Sequence, residues 1–243
     1  MWKENQDAFG HSIYDYMRGE AEFQIVERDD GDIGPIRLGV YFNQYKDWHP
    51  IEKKAMRYVR GKVLDIGCGA GRHALYLQEK GHNVVGIDNS PLAIKVCKER
   101  GLRDARVVPI TGINSKLGVF DTVIMMGNNF GLFGSFERAK RLLHKLNKIT
   151  SKRGKIITST NDVYDTDIAE HLAYQASNRS RGRMSGQLRI RVRYKTYTTP
   201  WFDYLIVSRN EMESILEGTG WAVKNYLDSD SSLYTAILEK KQL

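Results

Sequence analysis

Apolar and polar positions along the chain separate short strands from amphipathic helices. Runs rich in Val, Ile and Leu predict buried strands at 62–67, 83–88, 105–110, 120–126 and 154–160. Between these runs, apolar residues recur every three or four positions and predict helices at 50–61, 72–81, 90–101 and 135–150. Helices that alternate with short buried strands predict a parallel sheet covered on both faces.

The pattern changes near the C-terminus. Ser208 and Glu211 form a capping-box pair that begins a helix ending at Gly218. The apolar runs 221–229 and 232–240 are separated only by a short turn, so these two strands must be antiparallel. The sequence therefore predicts an α/β fold with a doubly wound, seven-stranded, mostly parallel sheet, an antiparallel C-terminal strand and helices on both faces.

Two regions lie outside this pattern, namely 1–50 and 161–207, and the second follows the fifth strand. A region that follows a parallel strand emerges at the C-terminal edge of the sheet, where open α/β folds bind ligands. We therefore expect an N-terminal cap or lid at 1–50 and a core domain at 51–243. Within that core, 161–207 is expected to be a basic insertion on the substrate side.

The most informative stretch is VLDIGCGAGRH, residues 63–73, which places three glycines between a predicted strand and a predicted helix. Gly67, Gly69 and Gly71 let a ligand approach the backbone more closely than a Cβ would permit. Asp88 ends the next strand, where its carboxylate is placed to accept hydrogen bonds from both hydroxyls of a ribose. A nucleoside cofactor is therefore expected.

The glycine spacing separates two classes of cofactor. A dinucleotide site of the G-x-G-x-x-G type requires a small residue at the position of Arg72, which disfavours a nicotinamide dehydrogenase. With Asp65 two residues before the first glycine, the chain resembles the class I (Rossmann-like) S-adenosylmethionine-dependent methyltransferases. The resemblance covers about residues 51–160 and 208–243, including the reversed final hairpin.

The resemblance implies S-adenosyl-L-methionine as cofactor and S-adenosyl-L-homocysteine as product. It assigns the glycine loop to the methionyl end of the cofactor, Asp88 to the ribose and Asn89 to the adenine. The cofactor-binding residues that it implies are Gly67, Cys68, Gly69, Asp88, Asn89, Thr111, Gly112, Gly127, Asn128 and Tyr41. Asn129 is expected to contact the substrate. The stretch after the fourth strand lacks an Asn-Pro-Pro-aromatic sequence, so methylation of base amino groups is disfavoured.

A basic segment stands out in the second region. Residues 179–195 hold seven basic side chains and no acid, against a net charge of +8 for the whole chain. Its sequence LRIRVRYK alternates strictly, as in a half-buried strand, so Arg189, Arg191 and Arg193 share one face. Such neighbours repel one another unless water, an acid or an anionic ligand lies between them. Residues 20–32 supply six acids against one base.

Three interpretations of the basic strand stay open. It pairs with the acidic residues 20–32 to form a substrate lid or a subunit interface, it binds an anionic small molecule through Arg189, Arg191 and Arg193, or it lines a groove for nucleic acid. The first is favoured because the acids at 20–32 would repel nearby phosphates. A homodimer through the insertion belongs to that first interpretation.

Composition adds few constraints. A hydrophobic content of 41% and a charged content of 27% are ordinary for a globular protein. The two cysteines, Cys68 and Cys97, are too few for a disulfide framework or a structural zinc site, and no metal is expected. Neither a signal peptide nor an apolar run of about 18 residues is present, so we expect a cytoplasmic location without membrane contact.

The sequence thus predicts an enzyme that moves the methyl group of S-adenosylmethionine to an undetermined acceptor, with a small molecule as the favoured class and an anionic one among the candidates. Two alternatives stay open: an RNA methyltransferase, and a protein that binds the cofactor for regulation without catalysis. No catalytic residue is identified, and for His73 a structural role is favoured over that of a base. Positioning alone supplies on the order of 7 to 11 kcal/mol of a displacement barrier.

Overall fold

The structure is a computed structural model that describes residues 2–241. The helices in this part of the chain are α1 (Ala8–Met17), α2 (Pro50–Met56), α3 (Arg72–Glu79), α4 (Pro91–Glu99), α5 (Phe136–Lys148), α6 (Ala169–Ser180) and α7 (Arg209–Leu216). The strands are β1 (Phe23–Arg28), β2 (Ile33–Arg37), β3 (Val63–Ile66), β4 (Val84–Asp88), β5 (Ala105–Val107), β6 (Phe120–Met125), β7 (Thr150–Asn161), β8 (Gln187–Tyr194), β9 (Tyr197–Thr198), β10 (Phe202–Leu205), β11 (Trp221–Asp228) and β12 (Leu233–Lys240).

The predicted core sheet is confirmed. Across residues 2–241 it has seven strands in the order β11-β12-β7-β6-β3-β4-β5. The pairs β3 with β4, β4 with β5, and β6 with β7 are parallel, and β12 runs antiparallel to both β7 and β11. The fold is therefore the mixed, mostly parallel α/β sheet that the sequence predicts.

The chain divides into two compact units. The first contains α1, α3, α4, β1 to β5, β9 and most of β8, and the second contains α2, α5 to α7, β6, β7, β11, β12 and most of β10. In the first unit Ser90 caps α4 by accepting a hydrogen bond from the amide of Ala93, and Pro91 is the first helical residue, as the sequence predicts. Ile13 of α1 packs in one apolar cluster with Ala93 of α4.

The N-terminal segment of the first unit pairs with the insertion that follows β7. Strand β1 pairs antiparallel with β2 on one side and with β8 on the other, with Ile25 opposite Arg193 and Glu27 opposite Arg191. We call β1, β2 and β8 the strap sheet. The predicted alternation in β8 is confirmed, because Val192 is buried whereas Arg193 is exposed.

In the second unit, local sequence signals fix the helix ends. Ser135 caps α5 through the amide of Arg138, and Ser208 with Glu211 forms the predicted capping box of α7. Strand β7 begins at Thr150, four residues before the predicted start at 154, and it has an irregular register against β6.

Helix α6 lies in the insertion and was not predicted. It exposes Leu172 and buries polar side chains such as Gln175 and Asn178, so its sequence has no continuous apolar stripe. As for membrane contact, none of the helices within residues 2–241 has the length and apolar character that a transmembrane span requires.

Candidate functional site

The glycine loop between β3 and α3 has a backbone that favours glycine at three positions. The φ angles of Gly67, Gly69 and Gly71 are +70°, +55° and +80°, which lie in the left-handed region. A Cβ at Gly69 would lie 3.4 Å from the Phe9 ring, and one at Gly71 would lie 3.0 Å from Sγ of Cys97. The loop is thus closely packed at Gly71, and its backbone conformation favours glycine at all three positions.

The Asp88 carboxylate ends β4 beside this loop. Its Oδ2 accepts a hydrogen bond from the amide of Gly69 at 3.0 Å, and its Oδ1 accepts one from the amide of Ser90 at 3.0 Å. The side chain is buried, and burial raises the pKa of Asp88 to about 6. At neutral pH the group is therefore mostly an anion, held by two backbone donors.

Asp65 supplies a second buried carboxylate, at the end of β3. The residue is 2% exposed, and its Oδ2 has no hydrogen-bond partner among the described residues. Burial, together with the charge of Asp88, raises the pKa of Asp65 to about 7. A buried carboxylate oxygen without a partner is costly, so a hydrogen-bond donor or cation from a ligand would stabilise it.

Two aromatic rings cover the loop. Tyr41 and Phe9 meet edge to face with 5.1 Å between ring centroids, and both lie within 4 Å of the position that a Cβ on Gly69 would occupy. The Tyr41 hydroxyl accepts a hydrogen bond from Gln24 of β1, which in turn accepts one from Ser12 of α1. Burial raises the pKa of Tyr41 to about 12, so its phenol is neutral at physiological pH.

Asp7 fastens the N-terminal segment to this region. Its buried carboxylate caps α1 through the amide of Gly10 at 3.0 Å. It also accepts hydrogen bonds from the Ser90 hydroxyl at 2.8 Å and from the amide of Leu92 at 3.2 Å. Sequence reasoning missed Asp7 and Phe9, and the signal available for Asp7 was its type, since Asp directly before a helix is a preferred cap.

The residues predicted for the adenine side of the cofactor follow β4 and β5. Asn89 follows Asp88, and its carbonyl accepts a hydrogen bond from the amide of Trp2 at 3.4 Å. Thr111 and Gly112 lie in a single helical turn after β5, with Thr111 exposed.

The Cys68 side chain points into packed protein. Its Sγ lies 3.8 Å from Sγ of Cys97, and both cysteines are buried, unbridged thiols. The hydrogen bond with Cys97 and burial raise the pKa of Cys68 well above its usual value. Cys68 is therefore a neutral thiol at physiological pH, and the predicted contact to a cofactor would involve its backbone.

The predicted residues after β6 belong to the second unit. Gly127 is exposed with φ of +69°, and Asn128 also has φ of +69°. The Asn128 amide donates to the Ser159 hydroxyl at 2.9 Å, and its side-chain oxygen accepts from the amide of Asn161 at 3.0 Å. These contacts give the Asn128 side chain a structural role in a strained turn, and the half-buried Asn129 follows it.

His73, at the start of α3, packs against aromatic neighbours. Its ring meets Trp48 at 4.6 Å between centroids, and Trp48 donates from Nε1 to the carbonyl of Asn43 at 2.9 Å. Tyr45 stacks on Tyr76 of α3 at 4.4 Å with parallel rings. This cluster attaches the segment before α2 to α3.

The basic strand β8 pairs with β1, which lies within the acidic residues 20–32. Arg191 makes two hydrogen bonds to Glu27 at 2.9 and 2.8 Å, and Arg193 reaches the same carboxylate at 3.2 Å. The Arg191 guanidinium also lies 4.5 Å from the centroid of Trp201. The hydrogen bond from Arg191 holds the pKa of Glu27 below its usual value.

The strap sheet turns its apolar face towards α1. Val192 and Tyr194 pack with Ala8 and Phe9. Since side chains alternate across a strand, Arg189, Arg191 and Arg193 lie on the opposite face. The structure therefore does not bring these three arginines together with Phe9 and the glycine loop.

Known proteins resemble the chain in sequence and in fold. Residues 63–154 match the family model described as a methyltransferase domain. The 2-heptyl-1-hydroxyquinolin-4(1H)-one methyltransferase of Mycobacteroides abscessus is 35% identical over 125 residues, which are 49% of this chain and 49% of that protein. The tRNA (uracil(54)-C(5))-methyltransferase of Pyrococcus horikoshii is 31% identical over 51% of this chain and 30% of its own length. The chain thus matches about half or less of the length of these curated relatives.

One solved structure resembles the chain over its whole length. A S-adenosylmethionine-dependent methyltransferase from Bacteroides fragilis, in complex with S-adenosyl-L-homocysteine, has a TM-score of 0.85 and 26% sequence identity. The match covers 100% of this chain and 98% of that one. The likeness therefore includes the N-terminal segment and the insertion as well as the central sheet.

Proposed function

Because the chain belongs to the class I S-adenosylmethionine-dependent methyltransferases, we propose that it transfers the methyl group of S-adenosylmethionine to a small-molecule acceptor. The observation that carries the proposal is the pair of buried carboxylates, Asp65 and Asp88, at a loop of three left-handed glycines. One of these carboxylates has an oxygen without a partner among residues 2–241.

The residues present fit this cofactor. S-adenosylmethionine carries a positive sulfonium, which supplies the transferable methyl group, and a positive ammonium. In the proposal Asp65 accepts the ammonium with the oxygen that has no partner in the described structure. Each oxygen of Asp88 accepts one backbone hydrogen bond and has a lone pair left for a ribose hydroxyl.

The other predicted site residues keep their roles within the proposal. Gly67, Cys68 and Gly69 line the methionyl end through their backbone, with Asn89, Thr111 and Gly112 on the adenine side. Gly127, Asn128 and Asn129 are assigned to the reacting end, with Asn129 on the acceptor. Of the three arginines, Arg191 and Arg193 are assigned to the strap sheet, because both bond to Glu27.

The groups nearest the loop work by placement rather than by proton transfer. Tyr41 and Cys68 are both neutral at physiological pH, because the pKa of each is raised. Phe9 and Tyr41 close the loop with apolar surface and limit the access of water. Alignment of two bound reactants is worth on the order of 7 to 11 kcal/mol, so a methyl transfer to an acidic hydroxyl needs no strong base.

The acceptor class rests on a relative. The relative from Mycobacteroides abscessus is named for a hydroxylated quinolinone, which supports a small aromatic acceptor for this chain. Two archaeal relatives are named as RNA methyltransferases, and this keeps RNA as the second candidate acceptor. We also propose a cytoplasmic location, which the two buried thiols, Cys68 and Cys97, support.

Calorimetry and turnover test the proposal in two steps. We expect S-adenosyl-L-homocysteine to bind and NAD to show no heat of binding. Incubation with S-adenosylmethionine and a panel of hydroxylated aromatic compounds should then give a methylated product by mass spectrometry. Binding of NAD without the homocysteine nucleoside would overturn the cofactor assignment, and binding without turnover on small molecules or RNA would favour a regulatory protein.

A further inference from the structure

A cationic surface lies in the second unit, on α5 and the start of β7. Residues 135–155 contain eight Lys and Arg side chains and one acid, Glu137. The leucines of α5 are buried, which leaves Arg141 and Lys148 exposed on its other face. Lys152 and Arg153, just beyond the helix, are exposed as well.

The irregular start of β7 presents the last two of these side chains. Thr150 pairs with Phe120 of β6, and the next pair joins Lys155 to Thr122. Residues 151–154 therefore stand opposite a single residue of β6, and the chain bulges outwards between the two pairs. A bulge of this kind redirects side chains at the edge of regular pairing.

The bulge is held in place by specific contacts. A Cβ on Gly154 would lie 2.8 Å from the Thr150 side chain, so the tight bend requires glycine. Arg60 donates a hydrogen bond from Nη2 to the carbonyl of Arg153. A cavity of about 410 Å³ opens here, and its lining residues are Arg60, Asp121, Ser151, Lys152 and Arg153.

These cations differ from those of the strap sheet in their partners. Arg191 is neutralised by Glu27, whereas Arg141, Lys148, Lys152 and Arg153 form no ion pair within residues 2–241. Like charges on one surface repel, and an anion bound between them lowers that repulsion. Against these cations the surface holds two acids, Glu137 and Asp121, so a net positive charge remains on it for a partner.

The surface lies away from the predicted reacting end within the same unit. Asp121 lies at the start of β6, and Asn128 follows its end, so at about 3.3 Å per residue about 13 Å of strand separates Asp121 from Met125, and Asn128 lies beyond Met125. A ligand in the cavity therefore does not reach Asn128. The surface is a place for holding a partner and not for receiving a methyl group.

We propose that Arg60, Arg141, Lys148, Lys152 and Arg153 bind the phosphate backbone of a nucleic acid. These basic side chains form an extended row, since the seven residue steps along the helix from Arg141 to Lys148 already cover about 10 Å. A chain of phosphates matches such a row better than one small anion does. An arginine guanidinium donates two hydrogen bonds to one phosphate group, and a lysine ammonium adds a single positive charge. The cavity lining has no aromatic ring for stacking, so the contact is with the backbone and not with the bases.

An anionic membrane surface fits the same charges less well. Peripheral membrane helices insert an apolar face, and the leucines of α5 are buried in the protein core instead. Phosphatidylserine vesicles are therefore the counter-probe for the experiment.

Fluorescence anisotropy with a labelled RNA hairpin, and with a DNA hairpin of the same sequence, tests the proposal. The native chain should bind a hairpin at 50 mM salt, and five phosphate contacts should weaken that binding by about 500-fold at 200 mM salt. The triple variant Lys148→Glu, Lys152→Glu and Arg153→Glu should lose at least about tenfold in affinity at low salt. It should keep the melting temperature of the native chain, which shows that it has folded.

A matched control variant replaces three basic side chains outside this surface, so that it changes the net charge by the same amount. The variant Lys98→Glu, Arg103→Glu and Lys116→Glu alters three exposed residues outside this surface and should bind the hairpins nearly as the native chain does. Absence of hairpin binding by the native chain at 50 mM salt would overturn the proposal. An equal loss of hairpin affinity in the control variant would also overturn it, and so would a native chain that binds phosphatidylserine vesicles but no hairpin. The assay does not involve methyl transfer, so its result is independent of the proposed enzyme activity.

Discussion

At the scale of single residues, Asp65 and Asp88 are both buried at the glycine loop but differ in their partners. Asp88 accepts two backbone hydrogen bonds within the protein, whereas Asp65 has an oxygen without a partner in the described part of the chain. Burial raises the pKa of both groups, to about 6 and about 7 respectively. This difference leads to separate predictions for binding and for stability.

Replacement of Asp88 should weaken cofactor binding. Hydrogen bonds to a charged group contribute about 1.5 to 3 kcal/mol each, so Asp88→Ala should lower the affinity for S-adenosyl-L-homocysteine by at least about tenfold in calorimetry at pH 8. Because the pKa of Asp88 is about 6, the native affinity should fall more steeply below that pH than the affinity of the variant, which keeps only the decrease caused by protonation of Asp65 near pH 7. Asp104→Ala, which removes a surface carboxylate paired with Arg106, is the control. Unchanged affinity in Asp88→Ala would contradict the ribose role.

Replacement of Asp65 should change stability in the opposite direction to binding. The unfolded chain releases the Asp65 proton near pH 3.8, and the ligand-free native chain keeps it up to about pH 7. The native state thus binds more protons between these values, and its stability decreases as the pH rises from about 4 to 7.

The variant Asp65→Asn has no ionisable group at this position, so it does not lose stability in this way as the pH rises. Ligand-free Asp65→Asn should be more stable than the native chain at pH 8 by on the order of a few kcal/mol, and the two should converge near pH 4. Urea unfolding at both pH values measures the difference, and calorimetry should show weaker binding of S-adenosyl-L-homocysteine. Equal stability of the two chains at pH 8 would argue that Asp65 is solvated or paired in the free protein.

The glycine loop allows a test of whether the cofactor lies close to its backbone. Gly69→Val should abolish detectable cofactor binding, because φ is +55° and the branched side chain would fill the space beside Phe9 and Tyr41 that the cofactor needs. Gly81→Ala is a control for backbone strain alone, since φ is +88° there and nothing lies within 4 Å of the added Cβ. We expect Gly81→Ala to lower the melting temperature slightly and to keep the affinity measured by calorimetry. Full binding by Gly69→Val would exclude the loop from the cofactor site.

Part of this site could be predicted from local sequence and part could not. The glycines and Asp88 follow a fixed spacing around a strand and a helix, so the motif alone indicates them. Phe9 and Asp7 lie about 60 and 80 residues away from their partners, Gly69 and Ser90, and no periodic pattern links them. Their roles arise from tertiary packing, which a local pattern does not encode.

At the scale of elements, the strap sheet joins two distant parts of the chain. The alternation in β8 predicts a half-buried strand, and the acidic composition of 20–32 suggests its partner, but the pairing register needs the structure. In β1 the adjacent apolar residues Ile25 and Val26 obscure the period of two. Helix α6 was missed for a related reason, since its buried positions include polar side chains.

The charge pairing in the strap sheet can be tested by exchange. Arg191→Glu should lower the melting temperature and speed proteolysis within residues 20–45, because it places two carboxylates together beside Arg193. The ion pair is partly exposed to solvent, so the loss of stability should be small. Glu27→Arg with Arg191→Glu should restore part of it, which a double-mutant cycle measures.

An exposed ion pair supplies the reference for that cycle. Exchange of Arg18 and Glu20, whose side chains are 56% and 51% exposed, should have almost no effect. Additive effects at Glu27 and Arg191 would contradict the coupling of β1 and β8.

At the scale of the whole molecule, the net charge of +8 is distributed differently from what the sequence suggests. The densest basic segment, 179–195, has acidic partners at Glu27 and Asp15 for three of its side chains. The central sheet was predictable because each strand and helix has its own pattern and cap, and right-handed connections restrict the order. The partners of the charged side chains could not be predicted, because they depend on contacts between segments far apart in sequence.

The pairing of Ile25 with Arg193 also has a consequence for how the chain folds. A contact between residues this far apart in sequence closes a long loop, and such contacts form late and slowly. During synthesis, the hairpin of β1 and β2 leaves the ribosome well before β8 exists. Gln24 of this hairpin donates a hydrogen bond to Tyr41, so the later pairing of β1 with β8 also stabilises the cover over the glycine loop. Pulse-labelling hydrogen exchange during refolding should therefore find the amides of β3 and β4 protected before those of β1.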